Sequence, residues 1–233
     1  MALIRDYQQT GNQVSLDLAA KNAQFLVDTR VERDGAWFFQ YEFDWTYVDR
    51  TLISPWWSGM AQGEALTLFS LLSQLQPDNP QWREAAEKVF KSFAVRGSGN
   101  EHPWVTVVID GELWFEEYAG SQPPLQVLNG QVFAIFGLWE YWLISGDPLA
   151  ARYIDGGAST VLTIMPRIRN AGGVSRYCAQ LDYCESDAWL NGTYHPIHIQ
   201  QLRALNRITG DERFSAWADL LVSDQDPEAL RAS

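Results

Sequence analysis

Apolar residues recur at helical spacing along most of the chain. Leu16, Ala19, Ala20, Ala23, Leu26 and Val27 predict an amphipathic helix over 15–31. A second helix is expected from about Ser58, a suitable N-cap, to Leu75, where Pro77-Asp78-Asn79-Pro80 breaks it. Pro80 fits the first turn of a third, to about Phe93. Pro123 and Pro124 precede a strong apolar helix over 125–144, and Gly146-Asp147-Pro148 ends it and starts the next, to about Met165. The last two helices are predicted over 195–208, stopped by Gly210, and 211–222, followed by a polar tail. Between these stretches the period changes. After the Asp34-Gly35 turn, Trp37, Phe38, Phe39, Tyr41, Phe43, Trp45 and Tyr47 read as irregular strands or a loop with exposed aromatics. Residues 103–118 read as a hairpin about Asp110-Gly111. A strand-like piece over 174–177 follows Gly172-Gly173, and 178–193 reads as loop.

The junctions between helices repeat. Ser145-Gly146-Asp147 and Thr209-Gly210-Asp211 share one helix–glycine–cap–helix form, and Pro77-Asp78-Asn79-Pro80 is a looser version. Short junctions alternating with long aromatic or hairpin-bearing ones predict helical hairpins in an array or ring. The expected architecture is a mainly α single domain over 1–233. Short junctions would lie at one end, and long loops carrying Trp45, Glu117, Tyr177 and Tyr194 would gather at the other, the natural place for a site.

Composition adds a substrate class. A hydrophobic fraction of 46% supplies a core, and eleven Trp suit stacking on sugar rings. A formal net charge of −12, with three Lys among 17 basic residues, argues against nucleic acid or an anionic membrane surface as partner. No apolar run reaches transmembrane length, and no basic-then-apolar leader opens the sequence, so a cytoplasmic location is expected unless the chain has been trimmed. Cys178 and Cys184 are expected to be free thiols.

Four constellations fall on the long-loop side: Pro55-Trp56-Trp57-Ser58 with Gln62, Glu116-Glu117-Tyr118 with Asn129, Ser175-Arg176-Tyr177, and Tyr194-His195-Pro196-Ile197-His198. His195 and His198 have metal-ligand spacing, but no third ligand completes a set, and no metal or other cofactor is expected. Serine-nucleophile and phosphate-loop patterns are absent. Glu116 and Glu117 would point to opposite faces of a strand, so they are not a flanking glycosidase pair. What remains is acid–base chemistry beside a carboxylate, with Tyr, Glu and His as proton carriers and an Arg or amide holding the anion. Equally, Tyr118 and Tyr177 could be strand-packing residues and Asn129 a helix-terminal hydrogen bonder. The residues alone leave enzyme and plain packing level.

The segments Trp56-Trp57-Ser58-Gly59-Met60-Ala61-Gln62-Gly63, Trp114-Phe115-Glu116-Glu117-Tyr118, Val127-Leu128-Asn129-Gly130 with Gly137-Leu138, and Tyr194-His195 with His198-Ile199 and Gln201-Leu202 carry a resemblance over roughly 15–222. The chain resembles the C-terminal catalytic domain of D-glucuronyl C5-epimerases, which invert C5 of glucuronate in heparosan-type polysaccharides. The resemblance implies an α/α toroid, an incomplete ring of helical hairpins with short β-hairpins at the site. It implies Glu117 and Tyr194 as an opposed acid–base pair, assisted by Tyr118, Tyr177 and His195. Trp56, Gln62, Asn129, Arg176, Gln180 and His198 would lie on the substrate-binding side. The expected partner is a glucuronate-containing polysaccharide or oligosaccharide, with a homodimer possible. Two departures stand out. The β-rich N-terminal region of the family's animal members is absent from this sequence, and Gln180 stands where the family has an arginine. Arg176 is then the expected carboxylate clamp, and Arg167, Arg169 and Arg176 the expected positive patch. The charge favours an unsulfated uronate polymer. The competing readings are a uronate lyase or hydrolase on the same fold and a glycan-binding module without turnover.

Overall fold

The computed structural model describes residues 1–97 and 101–225. Its helices form four consecutive hairpins. The first is α1 (Ala2–Thr10) with α2 (Gln13–Thr29), and the second is α3 (Gly59–Leu75) with α4 (Pro80–Ser92). The third is α5 (Leu128–Ser145) with α6 (Pro148–Ile168), and the last is α7 (His195–Thr209) with α8 (Glu212–Gln225). Members of each hairpin pack on each other, and α2, α3, α5 and α7 touch in succession. The architecture is an incomplete α/α toroid. The polar tail lies, from residue 226, outside the described residues.

The short junctions share a chemistry. Gly11, Gly146 and Gly210 end their helices in the left-handed region, which glycine enters without a Cβ clash. Asn12, Asn79 and Asp147 then accept the N–H two residues on, starting the next helix. The first of these hairpins was not predicted. In α1 the stripe of Leu3, Ile4 and Tyr7 spans only nine residues and no side chain caps its start, so it is easily overlooked in the sequence.

Four two-stranded ladders fill the long connections. β1 (Val31–Arg33) pairs with β2 (Ala36–Phe38) about the Asp34-Gly35 turn, and β3 (Gln40–Tyr41) pairs with β6 (Trp56–Trp57). Likewise β4 (Trp45–Tyr47) pairs with β5 (Arg50–Leu52), and β7 (Thr106–Ile109) with β8 (Glu112–Phe115) about Asp110-Gly111. The aromatics after residue 34 therefore divide. Trp37, Phe38 and Phe39 are buried, against expectation, because β2 packs on α4. Phe43 and Trp45 stay exposed.

The 103–118 hairpin is shorter than predicted at both ends. β8 stops at Phe115 because the Glu116 carboxylate accepts the N–H groups of Tyr118 and Gln126, folding the following segment back. That second bond also delays α5, which starts at Leu128 rather than 125; Gln126 holds a left-handed φ of 61°. The piece over 174–177 makes isolated bridges rather than a ladder: Arg176 to Leu190, and neighbouring Cys178 to Val127.

Cys178 and Cys184 are a disulfide, not free thiols. The Cys184 N–H bonds the Gln180 carbonyl at 2.9 Å and turns the loop back, bringing the two Cα atoms to 5.7 Å, within bridging range. At the centre of the core, α3 crosses α5 through facing glycines. A Cβ at Gly63 would stand 2.6 Å from Ala134 Cα, so the two backbones meet almost directly. That crossing sets α5, and with it Asn129 and Gly130, under the Glu116–Tyr118 turn.

Candidate active site

Glu117 leaves the end of β8 and drives its side chain inward, where it is 4% exposed. Gly130 makes room: a Cβ there would lie 2.7 Å from Glu117 Cβ. Tyr177 donates to Glu117 Oε1 at 3.0 Å and Asn129 Nδ2 donates to Oε2 at 3.2 Å. Burial pushes the carboxyl pKa up to about 7, against the pull of Tyr177, Tyr118 and Asn129, which favour the anion. Glu116, one residue before, does other work. It is buried on the two backbone N–H groups described above and holds the turn.

The phenols form a chain. With the Tyr177 proton directed at Glu117, the Tyr118 hydroxyl can donate to Tyr177 across their 3.0 Å contact, and it also lies near enough to Glu117 to favour the anion. Burial, then the nearby Glu117 charge, raises both phenol pKa values, so neither readily stands as a free phenolate. Tyr194, at the N-terminus of α7, sets its ring edge-on to Tyr177 with centroids 4.7 Å apart. Tyr118, Tyr177 and Tyr194 open together on a cleft of about 240 Å³, walled also by Trp45, Tyr47 and Trp189. Glu117 is not on that wall; it lies one phenol deep.

The other sequence candidates have different places. Gln62 is fully occupied inside the core, donating to Trp37 O and Ser92 Oγ and accepting from Phe39 N–H, so it is a structural bridge and not a substrate contact. Trp56 is buried, with Tyr41 stacked at 4.1 Å, and it supports the Tyr118 ring from behind rather than offering a face to a sugar. His195 ties three segments: its Nε2 meets the Leu221 carbonyl and its Nδ1 takes the Ser175 N–H. His198 shares the Ser175 hydroxyl at 2.8 Å, and burial drives its pKa down to about 3. Both imidazoles are completely buried, so neither reaches the cleft. Among the described residues no three His, Cys, Asp or Glu side chains gather as a metal site.

The expected arginines also move. Alternation along 175–177 turns Arg176 away from Tyr177, into a separate pocket by the disulfide, where it donates to the carbonyls of Glu185 and Arg169. Arg167 is held bidentately by Glu112 and Arg169 by Asp224, so these three do not form a free positive patch. Gln180 does not face the cleft. It accepts a 2.9 Å bond from Arg50, whose guanidinium lies 3.4 Å from the Tyr183 ring centroid. Tyr47, Trp189 and Arg50 were not singled out from the sequence. They stand just outside the motifs: the β4–β5 hairpin and the loop before α7 bring Tyr47 and Trp189 to the cleft wall, and Arg50 pairs with Tyr47 across that hairpin.

Comparison with known proteins agrees with this architecture. The D-glucuronyl C5-epimerase C-terminus family matches residues 30–222. A search of curated proteins finds no match. Among solved structures, the chain is similar in fold to a GH76 α-mannanase from Bacteroides thetaiotaomicron, at a TM-score of 0.53 and 11% identity, over 93% of this chain and 53% of that one. The chain thus spans about half the length of the mannanase, and at that identity the likeness concerns the fold alone. The family match covers every long connection and all four residues around the cleft's phenol chain, Glu117, Tyr118, Tyr177 and Tyr194: this chain belongs to the D-glucuronyl C5-epimerase C-terminal family.

Proposed function

We propose that this protein inverts C5 of D-glucuronate residues, to L-iduronate, in an unsulfated heparosan-like polymer. The observation that carries the reading is the hydrogen-bonded line from Tyr118 through Tyr177 to a buried Glu117 whose pKa sits near 7. A carboxylate poised there can accept a proton at neutral pH.

In this mechanism the Tyr118 oxygen takes the C5 proton. Its own proton passes to Tyr177, and the Tyr177 proton passes to Glu117, which becomes neutral. The pair left on C5 spreads into the substrate carboxylate as an enediolate. No free phenolate forms on the relay, which matters because burial opposes one at both tyrosines. Tyr194, edge-on to Tyr177, then gives its hydroxyl proton to the opposite face of C5, and exchange with solvent at the cleft mouth restores both groups. Asn129 orients the Glu117 carboxylate, and the exposed ring of Trp45 offers a surface for the sugar ring. The net charge of −12, and the pairing of Arg167 and Arg169 with acids, favour an unsulfated chain.

Proton NMR of heparosan with the protein in deuterium oxide tests the reading. Loss of the H5 signal with appearance of iduronate is expected. An unsaturated uronate, absorbing in the ultraviolet, would instead mean elimination by a lyase. Binding without exchange would mean a glycan-binding protein.

A further inference from the structure

A uronate needs a counter-charge, and the enediolate formed from it needs one more. The phenols and Glu117 supply none. Arg167 and Arg169 are neutralised by carboxylates, and Arg176 faces a different pocket. Arg50 differs from all three. Among the described residues no carboxylate forms a salt bridge with it; Gln180 takes one hydrogen bond from its fork, and the Tyr47 hydroxyl lies against it. Tyr183 underlies the guanidinium, and the Tyr183 hydroxyl is itself fixed to Asp49 Oδ1 at 2.5 Å. The charge is thus held rigidly and left unspent, as a bidentate anion site requires.

Arg50 also has a partner on the cleft wall. Tyr47 lies opposite it in the β4–β5 ladder and packs its ring 5.5 Å from that of Tyr118. The Tyr47 ring lines the cleft, and its hydroxyl is buried against the Arg50 guanidinium. Burial and Glu116 push its pKa up to about 12, while the nearby Arg50 charge opposes the rise.

We propose that Arg50 and Tyr47 form the carboxylate anchor of the cleft, with Gln180 and Tyr183 holding the guanidinium in position. Arg50 supplies the charge, and Tyr47, against it on the cleft wall, positions it. Together they choose a uronate over a neutral hexose and hold the carboxylate that becomes the enediolate. This rests on the uronate reading above, and deepens it.

The test compares a heparosan oligosaccharide with the same oligosaccharide after its carboxyls are reduced to alcohols, on wild-type protein and on Arg50→Gln and Tyr47→Phe, by calorimetric binding and by C5 exchange in deuterium oxide. Wild type should bind the uronate at least about tenfold more tightly than the reduced form. Arg50→Gln should bind the two alike, and Tyr47→Phe should raise KM several-fold with a smaller change in kcat. Arg50→Lys, which keeps the charge but not the fork, guards against misfolding and should raise KM while preserving part of the uronate preference. A folded Arg50→Gln that keeps the full preference overturns the anchor while leaving the epimerase reading intact, as does an Arg50→Lys with unchanged KM. Wild-type protein that neither exchanges C5 nor prefers the uronate overturns both.

Discussion

Two networks of buried polar side chains meet under the long loops, and they differ in what they leave over. In the first, His195 spends both ring nitrogens on Ser175 and the Leu221 carbonyl, and His198 shares the Ser175 hydroxyl. In the second, Glu117 receives Tyr177 and Asn129, Tyr177 receives Tyr118, and the line ends at the cleft. Both use residue types that acid–base chemistry uses. The first runs inward, anchored on backbone at His195 and ending at the buried His198 Nε2, and holds α7, α8 and the 175–177 segment together; the second points outward and can move a proton. Residue type does not separate structure from chemistry here, but the direction of the hydrogen bonds does.

Replacing the end of the outward network should have the largest effect. Glu117→Gln keeps the shape but cannot take the proton, so C5 exchange should fall by about 10²–10⁴-fold, read by NMR. Stability should move the other way. The Glu117 pKa is raised in the folded state, so its contribution is full below about 4.5 and lost as pH rises through about 7. Urea unfolding at pH 8 should therefore show Glu117→Gln more stable than wild type by up to about 3 kcal/mol, with the gain gone at pH 4. Equal stability at both values would mean that the carboxylate is not held against its charge.

Breaking the inward network should do the reverse. His195→Ala leaves the Ser175 N–H and the Leu221 carbonyl without partners and should cost about 2–4 kcal/mol in denaturant unfolding. Exchange per folded molecule should stay within a few-fold of wild type. A hundredfold loss with the fold intact would move His195 into the chemistry.

Acid separates the two networks more gently. Burial lowers the His198 pKa to about 3, so its contribution to stability is present above its ordinary value near 6.5 and lost as pH falls toward 3. His198→Gln should flatten the loss of stability between pH 6 and pH 4, opposite in sense to Glu117→Gln. The smallest effect is steric. Gly130→Ala puts a methyl against Glu117 Oε2 and 2.7 Å from its Cβ, so the carboxylate must shift; exchange should slow by about tenfold and stability fall by about 1–3 kcal/mol.

Much of this molecule was legible in its sequence, for identifiable reasons. Helices α2 to α8 announce themselves by apolar spacing and by caps such as Ser58, Asp147 and Gly210, and the repeated junctions give the ring. α1 was missed because its stripe of Leu3, Ile4 and Tyr7 is short and no side chain caps its start. The meeting of Glu117, Tyr118, Tyr177, Tyr194 and Asn129 follows from loops gathering at one end. Orientation was not legible. Trp56, Gln62, Arg176, His195 and His198 stand beside the right residues in the chain, but α-helical and extended geometry turn them into the core or toward another pocket. Nor could the pairing of Cys178 with Cys184 be read, since it depends on the turn at Gln180. Arg50 lies 130 residues from Gln180, and no local pattern joins them.

The relay itself is the central claim, and Tyr177 is its middle. Tyr177→Phe keeps the ring against Trp189 and Tyr194 but removes the hydroxyl that joins Tyr118 to Glu117. Proton NMR of heparosan H5 in deuterium oxide should show exchange with wild-type protein and at least about a hundredfold slower exchange with the folded variant. Undiminished exchange in Tyr177→Phe would contradict the relay.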